Sequence, residues 1–258
     1  MIYYFAGAES ELFRKIVRMV GGKHILMSAY SLKYGKIPED ALKMNIIIDS
    51  GGYTLRKNNT TFDIKTYVNF LNRNEIKLAF NLDTNDFDET NRNQEVLDEE
   101  TKTKIIPIYH YSDYRDNRDL IDALVEKYDY IAIGGVAGGH LNRAKKKNFF
   151  NYVFKRTKDK VKVHGLGVNA LKELEFYPFY SVDGTSWLSP ARFRSMAKFD
   201  GRKTRSLSKT SSEISLDRMD MITATYQSIL VKSAKNILEI ENYITRLWAK
   251  RGIIWQTK

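Results

Sequence analysis

Ile46-Ile47-Ile48-Asp49-Ser50-Gly51-Gly52 sets three β-branched residues directly before an aspartate, a serine and two glycines. A short apolar run that stops at such a cluster reads as a buried strand handing over to a loop. The same grammar recurs at Ala132-Ile133-Gly134-Gly135-Val136-Ala137-Gly138-Gly139 and at Tyr180-Ser181-Val182-Asp183-Gly184-Thr185. In parallel α/β folds, and above all in (β/α)8 barrels, chemistry is built at the carboxyl ends of strands, because the loops there converge on one face. Two strand-end aspartates far apart in sequence, Asp49 and Asp183, are therefore the feature to explain.

Outward from these stretches, apolar runs of strand length recur at Ile2 to Phe5, Ile25 to Met27, Met44 to Ile48, Lys77 to Leu82, Ile105 to Tyr109, Tyr130 to Ile133, Val161 to Val163 and Phe179 to Val182. Between most of them lie amphipathic segments of helical period, at Glu11 to Val20, Asp63 to Leu71, Asp119 to Tyr128 and Leu141 to Phe154. This alternation is that of βαβ units. It predicts an α/β chain, a TIM-like (β/α)8 barrel forming a catalytic core over residues 1–190, with a doubly wound open sheet as the competing architecture. After Trp187 the pattern changes. Arg192, Arg194, Lys198, Arg202, Lys203, Arg205 and Lys209 surround a single acid, Asp200, which reads as a basic loop. Thr210-Ser211-Ser212-Glu213 then has capping-box spacing, and Met219, Ile222, Tyr226, Ile229, Ile237, Ile240, Ile244 and Leu247 follow at helical intervals. Residues 191–258 are thus expected to form the basic loop and a long C-terminal helical extension, packed on the barrel or against a second subunit or partner protein.

The chain of 258 residues carries 42 Lys plus Arg against 31 Asp plus Glu, a formal charge of +11. Such a balance concentrates polyanions, and nucleic acid is the natural partner; a generally lysine-rich proteome is the bland alternative. The absence of cysteine excludes disulfides, thiolate catalysis and every cysteine-bearing zinc site, so neither zinc nor another cofactor is expected. Met1 to Ala6 lacks the basic and apolar regions of a leader, and no uncharged apolar run reaches membrane-spanning length. A soluble, cytoplasmic protein is expected. The segment Asp86 to Glu100, with seven acids and one arginine, reads as a solvated acid-rich loop and helix start.

Several strand ends carry groups able to do chemistry. Asp49 and Asp183 share one setting, and two carboxylates facing a cavity are the minimum equipment for displacing a group at a sugar anomeric carbon. Asp49 before Ser50-Gly51 equally suits a side-chain turn cap. Asp83, closing Phe80-Asn81-Leu82-Asp83, can accept from the adjacent N–H donors of a guanine-like ring, or cap its own turn. His110 and His164 each close an apolar run and serve either chemistry or a hydrogen-bonded rim; His24 and His140 are weaker candidates. Gly134 and Gly135 leave backbone N–H groups at a strand end, although neither nucleotide-binding glycine spacing is present. Arg143 to Lys147 and Lys155 to Lys160 add basic clusters that serve as a solvated helix face or as a phosphate track.

Taken in order, DSGGY at 49–53, NLD at 81–83, AIGGVAGG at 132–139, HGLGV at 164–168 and SVDGTSW at 181–187 resemble the motifs of the tRNA-guanine transglycosylase superfamily, over roughly residues 45–190. The likeness is greatest to its DNA-modifying branch. The resemblance implies a (β/α)8 barrel that exchanges guanine in a polynucleotide for a 7-deazaguanine base such as preQ0 or a derivative, through a covalent glycosyl-aspartate. It implies Asp183 as nucleophile and Asp49 as general acid/base, with Asp83, Ser50, Gly51 and the Gly134 and Gly135 amides around the base. His110 falls where the family commonly has glutamine. His164 and Trp187 would be accessory, Trp187 as a stacking or wedge residue or else a core tryptophan, and Arg192, Arg194, Arg202, Lys203 and Arg205 would meet the nucleic-acid backbone. Two departures stand out: the family's three-cysteine, one-histidine zinc site cannot exist here, and Thr185-Ser186-Trp187 replaces the usual Pro-Thr-Arg. A metal-free chain with its own basic loop is expected to act on DNA rather than tRNA. A carbohydrate glycosidase and a non-catalytic nucleic-acid-binding barrel subunit are the competing functions.

Overall fold

The computed structural model describes residues 1–58, 63–84, 86–137, 141–158, 160–193, 196–207 and 226–255. Among them, nine strands form one sheet: β1 Ile2–Ala6, β2 His24–Ser28, β3 Asn45–Asp49, β4 Leu78–Phe80, β5 Lys104–Ile106, β6 Ile108–His110, β7 Tyr130–Gly134, β8 Lys162–Gly165 and β9 Ser181–Gly184. Their order is β5-β4-β3-β2-β1-β9-β8-β7-β6, and every pairing is parallel. The two ends of that order are consecutive in the chain, on either side of Pro107. Ile106 pairs with Phe80 on one flank while Ile108 pairs with Ala132 on the other. A proline has no N–H for the ladder, but its carbonyl still accepts from Ala132 N at 2.8 Å. The sheet is therefore nearly closed on itself, and the apolar run from Ile105 to Tyr109 becomes two short strands rather than one.

Helices alternate with the strands: α1 Glu11–Met19, α2 Gly52–Lys57, α3 Ile64–Arg73, α4 Phe87–Glu100, α5 Tyr111–Asp116, α6 Leu120–Lys127, α7 Arg143–Thr157, α8 Leu171–Phe176, α9 Ser189–Phe193 and α10 Tyr226–Lys250. Strand alternation sorts the apolar residues into two layers. Tyr4, Leu26, Ile47, Phe80, Ile106, Ile108, Tyr130 and Ala132, from seven different strands, pack against one another, which only the inside of a ring allows. Phe5, Met27, Ile48, Ala79, Ile131, Val163 and Val182 instead join the core beneath the helices.

Two segments differ from the sequence expectation. The acid-rich stretch is a helix of 14 residues, capped by Asp86, whose side chain accepts from Glu89 N at 2.7 Å. Its inward face buries Asn93 and Gln94 beside Leu97, so amides hide the apolar period that would have announced it. The basic loop after Trp187 is built on an antiparallel hairpin, β10 Met196–Phe199 and β11 Thr204–Leu207. Asp200 holds the turn by accepting from the N–H groups of Arg202 at 3.1 Å and Lys203 at 2.9 Å, while Gly201 takes φ +91. The Asp200-Gly201 pair is a hairpin signal in its own right.

The capping box at residues 210–213, with Met219 and Ile222, lies outside the described residues. From Tyr226 onward the helical stripe holds: Ile229, Leu230, Ile237, Ile240 and Ile244 are buried along α10. That helix packs on the sheet's outer wall, where Glu241 Oε1 accepts from Tyr3 N at 3.0 Å and Trp248 Nε1 donates to the Leu174 carbonyl at 2.8 Å. Among the described residues no helix is long and apolar enough to cross a membrane.

Candidate active site

Asp183 stands on the inner side of β9, since its neighbour Val182 faces the helices and Ser181, two positions back, reaches the inward Tyr130. It is 9% exposed. Its Oδ1 accepts from Gly167 N at 2.9 Å and meets His164 Nε2 at 3.1 Å; among the described residues no hydrogen bond reaches Oδ2. Behind it runs a buried chain. His164, fully buried against Phe80 and Tyr4, places Nδ1 2.5 Å from Ser181 Oγ, and that hydroxyl lies 2.5 Å from Tyr130 Oη. Burial pushes the Tyr130 hydroxyl well above the usual tyrosine range, so it stays a donor. With the imidazole carrying its proton on Nε2, every link points the same way: Tyr130 donates to Ser181, Ser181 to His164, and His164 to Asp183. The chain fixes one carboxylate oxygen, Oδ1, from behind.

Asp49 closes β3 on the same end of the sheet. Ile47 belongs to the inner cluster and Ile48 to the outer, so Asp49 continues the inward register. Its Oδ2 accepts from Gly51 N at 3.1 Å, the turn-capping geometry, without leaving the inner face. Strands β2 and β1 separate β3 from β9. Three strand spacings amount to roughly 14 Å along the sheet. Ser50 is fully buried, and its hydroxyl accepts from Gly52 N at 3.3 Å. Gly51 turns the chain at φ +90 with its missing Cβ only 2.4 Å from Tyr30 Cβ, so Tyr30 is what comes close there.

A second pair sits at the ends of β4 and β6. Asp83, 5% exposed, bonds through Oδ2 to His110 Nε2 at 2.8 Å. His110 also begins α5, its N–H donating to Asp113 Oδ2 at 2.7 Å, and burial raises the Asp113 carboxyl above the usual range. Gly134, the register partner of His110, is glycine for a local reason: a Cβ there would lie 2.7 Å from His110 Nδ1. Gly134→Ala is expected to lower stability by about 1–3 kcal/mol through overpacking and to shift the His110 ring resonances. Unchanged resonances would show the strand end, not the imidazole, giving way.

Asp83 and His110 line a cavity of about 650 Å3 together with Asn81, Thr90, Gln94 and Asp113, residues of or beside β4, α4 and α5. Asn81 Oδ1 and Gln94 Oε1, both buried, have no hydrogen-bond partner among the described residues. The lining is therefore rich in acceptors and contains no lysine or arginine. Asp49, His164 and Asp183 are not among its lining residues, so the five aspartate and histidine strand ends divide into an inner group of three and a pair on a flanking cavity.

Some of the other candidates are described and some lie outside the described residues. Trp187 is 0% exposed, edge-on to Phe5 and Phe13, with its N–H donating to the Ala6 carbonyl at 3.0 Å. Of the two readings of Trp187, this full burial matches the core tryptophan. Arg192, Arg202 and Lys203 are exposed, and Arg205 stands opposite Lys198 in the hairpin. Arg194, Gly138, Gly139 and His140 lie outside the described residues. His24 sits at the opposite, amino end of β2. Among the described residues no group of three His, Cys, Asp or Glu side chains is placed to hold a metal ion. What the sequence did not single out is Ser181 and Tyr130, because a lone serine inside a strand and a strand-start tyrosine carry no signal until the strands are paired.

No family model matches the chain. It is similar to an uncharacterized protein, protein 306, of Sulfolobus islandicus rod-shaped virus 1, with 28% identity over 188 residues, covering 67% of this chain and 61% of that protein. The match thus spans less than two thirds of the viral relative.

Proposed function

We propose that the chain is a guanine transglycosylase acting on nucleic acid, with DNA as its polymer and a 7-deazaguanine as the incoming base. In this proposal the nearly closed sheet is a TIM-like (β/α)8 barrel whose fifth strand is β5 and β6 together, interrupted at Pro107. The observation that carries the chemistry is the state of Asp183: Oδ1 takes two hydrogen bonds and Oδ2 takes none among the described residues. A nucleophile needs one oxygen held and one directed at its target.

Asp183 Oδ2 attacks C1′ of the target nucleoside from the face opposite the base. The C1′–N9 bond breaks, its electron pair stays on guanine N9, and a protonated Asp49 delivers the proton there. The resulting glycosyl ester is then attacked at C1′ by N9 of the incoming base, whose proton returns to the Asp49 carboxylate as the ester bond to Asp183 breaks. The His164 chain preorganises the carboxylate and excludes water from its anchored side. Asp83 and the acceptor-rich cavity favour a ring that presents N–H donors, as guanine-type bases do. A base inside a duplex must leave the stack before C1′ is reached, so an unpaired target is the easier substrate.

The deciding experiment incubates the protein with labelled guanine and plasmid DNA, tRNA or no polymer. Label entering DNA is the expected result, label entering tRNA alone would move the reaction to RNA, and label entering neither would reject base exchange.

A further inference from the structure

We propose that the outer wall formed by α7, α8 and the end of α10 is a binding track for single-stranded nucleic acid. Two hollows, of about 380 and 620 Å3, share Phe176 and Tyr177 and so form one continuous furrow. Arg143, Lys146, Lys147 and Lys172 line the first. Lys155, Lys158 and Arg251 line the second. Against seven cations the furrow has one acid, Glu173, paired with Lys146 at 3.1 Å. The chain has gathered on one helix pair both basic clusters that the strand-end chemistry leaves unused.

The shape of the furrow decides which polyanion it suits. Arg143 and Lys158 bracket the length of α7, about 22 Å at 1.5 Å per residue, so the charge is laid out as a line rather than spread over a flat face. A line of cations matches successive phosphates of a strand; a planar lipid surface would call for a broad patch. On the ridge between the hollows Phe176 is 72% exposed, while Phe154 and Tyr177 stack beneath at 5.4 Å between ring centroids. An aromatic ring standing clear among cations is the combination that binds unpaired bases, since every base offers a π-face whatever its sequence. A duplex would hide those faces. The furrow begins at the amino end of α7, which follows the carboxyl end of β7, and so leads away from the face that carries Asp49, Asp83 and Asp183. The choice of polymer rests on the proposed function, but the track would hold a strand whether or not a base is exchanged.

The test uses the full chain and a fluorescein-labelled oligo-dT, read by anisotropy over a salt series. The variant Arg143→Gln/Lys147→Gln/Lys155→Gln/Lys158→Gln changes only exposed positions of α7 and the residue that caps its end; its melting curve checks that it folds. It is expected to bind at least tenfold more weakly, and four lost phosphate contacts should flatten the slope of log K against log salt by about 2.8. Phe176→Ala should weaken binding roughly tenfold, the range of one stacked base, with the slope unchanged. Wild-type affinity and slope in the quadruple variant would overturn the track, as would loss of binding to phosphatidylserine vesicles or polyglutamate with oligo-dT binding intact. Measuring label incorporation on the same samples separates the two proposals: incorporation with unaltered binding in the quadruple variant sinks the track alone, and weakened binding without any incorporation by wild type sinks the exchange reaction alone.

Discussion

Asp183→Asn is expected to reduce label incorporation to background, a loss on the order of 10⁴-fold or more, as when a covalent nucleophile is removed elsewhere. The substitution is close to isosteric. An amide oxygen at the Oδ1 position still accepts from Gly167 N and His164 Nε2, at 2.9 and 3.1 Å in the parent, so the anchor and the strand end are retained. What changes is the other atom, where a carboxylate oxygen becomes an amide nitrogen with no lone pair suited to attack C1′. Melting temperature and oligonucleotide affinity should therefore stay near the parent values while turnover disappears. A denaturing gel gives an independent readout: the parent should carry a covalent protein–DNA species when incoming base is withheld, and the variant should not. Incorporation at the parent rate would reject Asp183 as nucleophile, and with it the reason for placing Asp49 opposite.

Much of this face was legible because strand ends announce themselves chemically. The run Ile46 to Ile48 reads as a buried strand that hands over at Asp49-Ser50-Gly51, so the strand-end position of Asp49 follows from composition alone. The same holds for Asp183 and for His110. Sequence is silent where a contact depends on strand pairing. Ser181 reaches His164 because β8 and β9 run parallel with those two residues in register, and no local pattern encodes that neighbour. Pro107 conceals the closure of the sheet in the same way: it sits inside one apolar run, yet the run's two halves pair with different strands. The hairpin at Asp200-Gly201 has a turn signal in the sequence, but the density of arginine and lysine around it resembles a loop. Helix α4 was hidden for the opposite reason, its buried face being built from amides.

Trp187→Ala is expected to cost about 3–5 kcal/mol of folding stability, the range for emptying a buried aromatic site. The indole lies between Phe5 of β1 and Phe13 of α1, at ring-centroid distances of 5.5 and 5.6 Å. Its removal takes contacts from both at once and leaves the Ala6 carbonyl, the last acceptor of β1, without its 3.0 Å donor. Trp187→Phe should lose less, since a ring remains and only the hydrogen bond and part of the volume are gone. Urea unfolding of the two variants measures both losses. The comparison also separates the two functions a tryptophan beside Asp183 can have. A base-stacking residue contributes to the bound state, so alanine would leave unfolding untouched and weaken oligonucleotide binding. A core residue contributes to the folded state, so alanine would lower stability while the folded fraction binds as the parent does. Full burial places Trp187 in the second class, and a variant with parental stability but weakened binding would return it to the first.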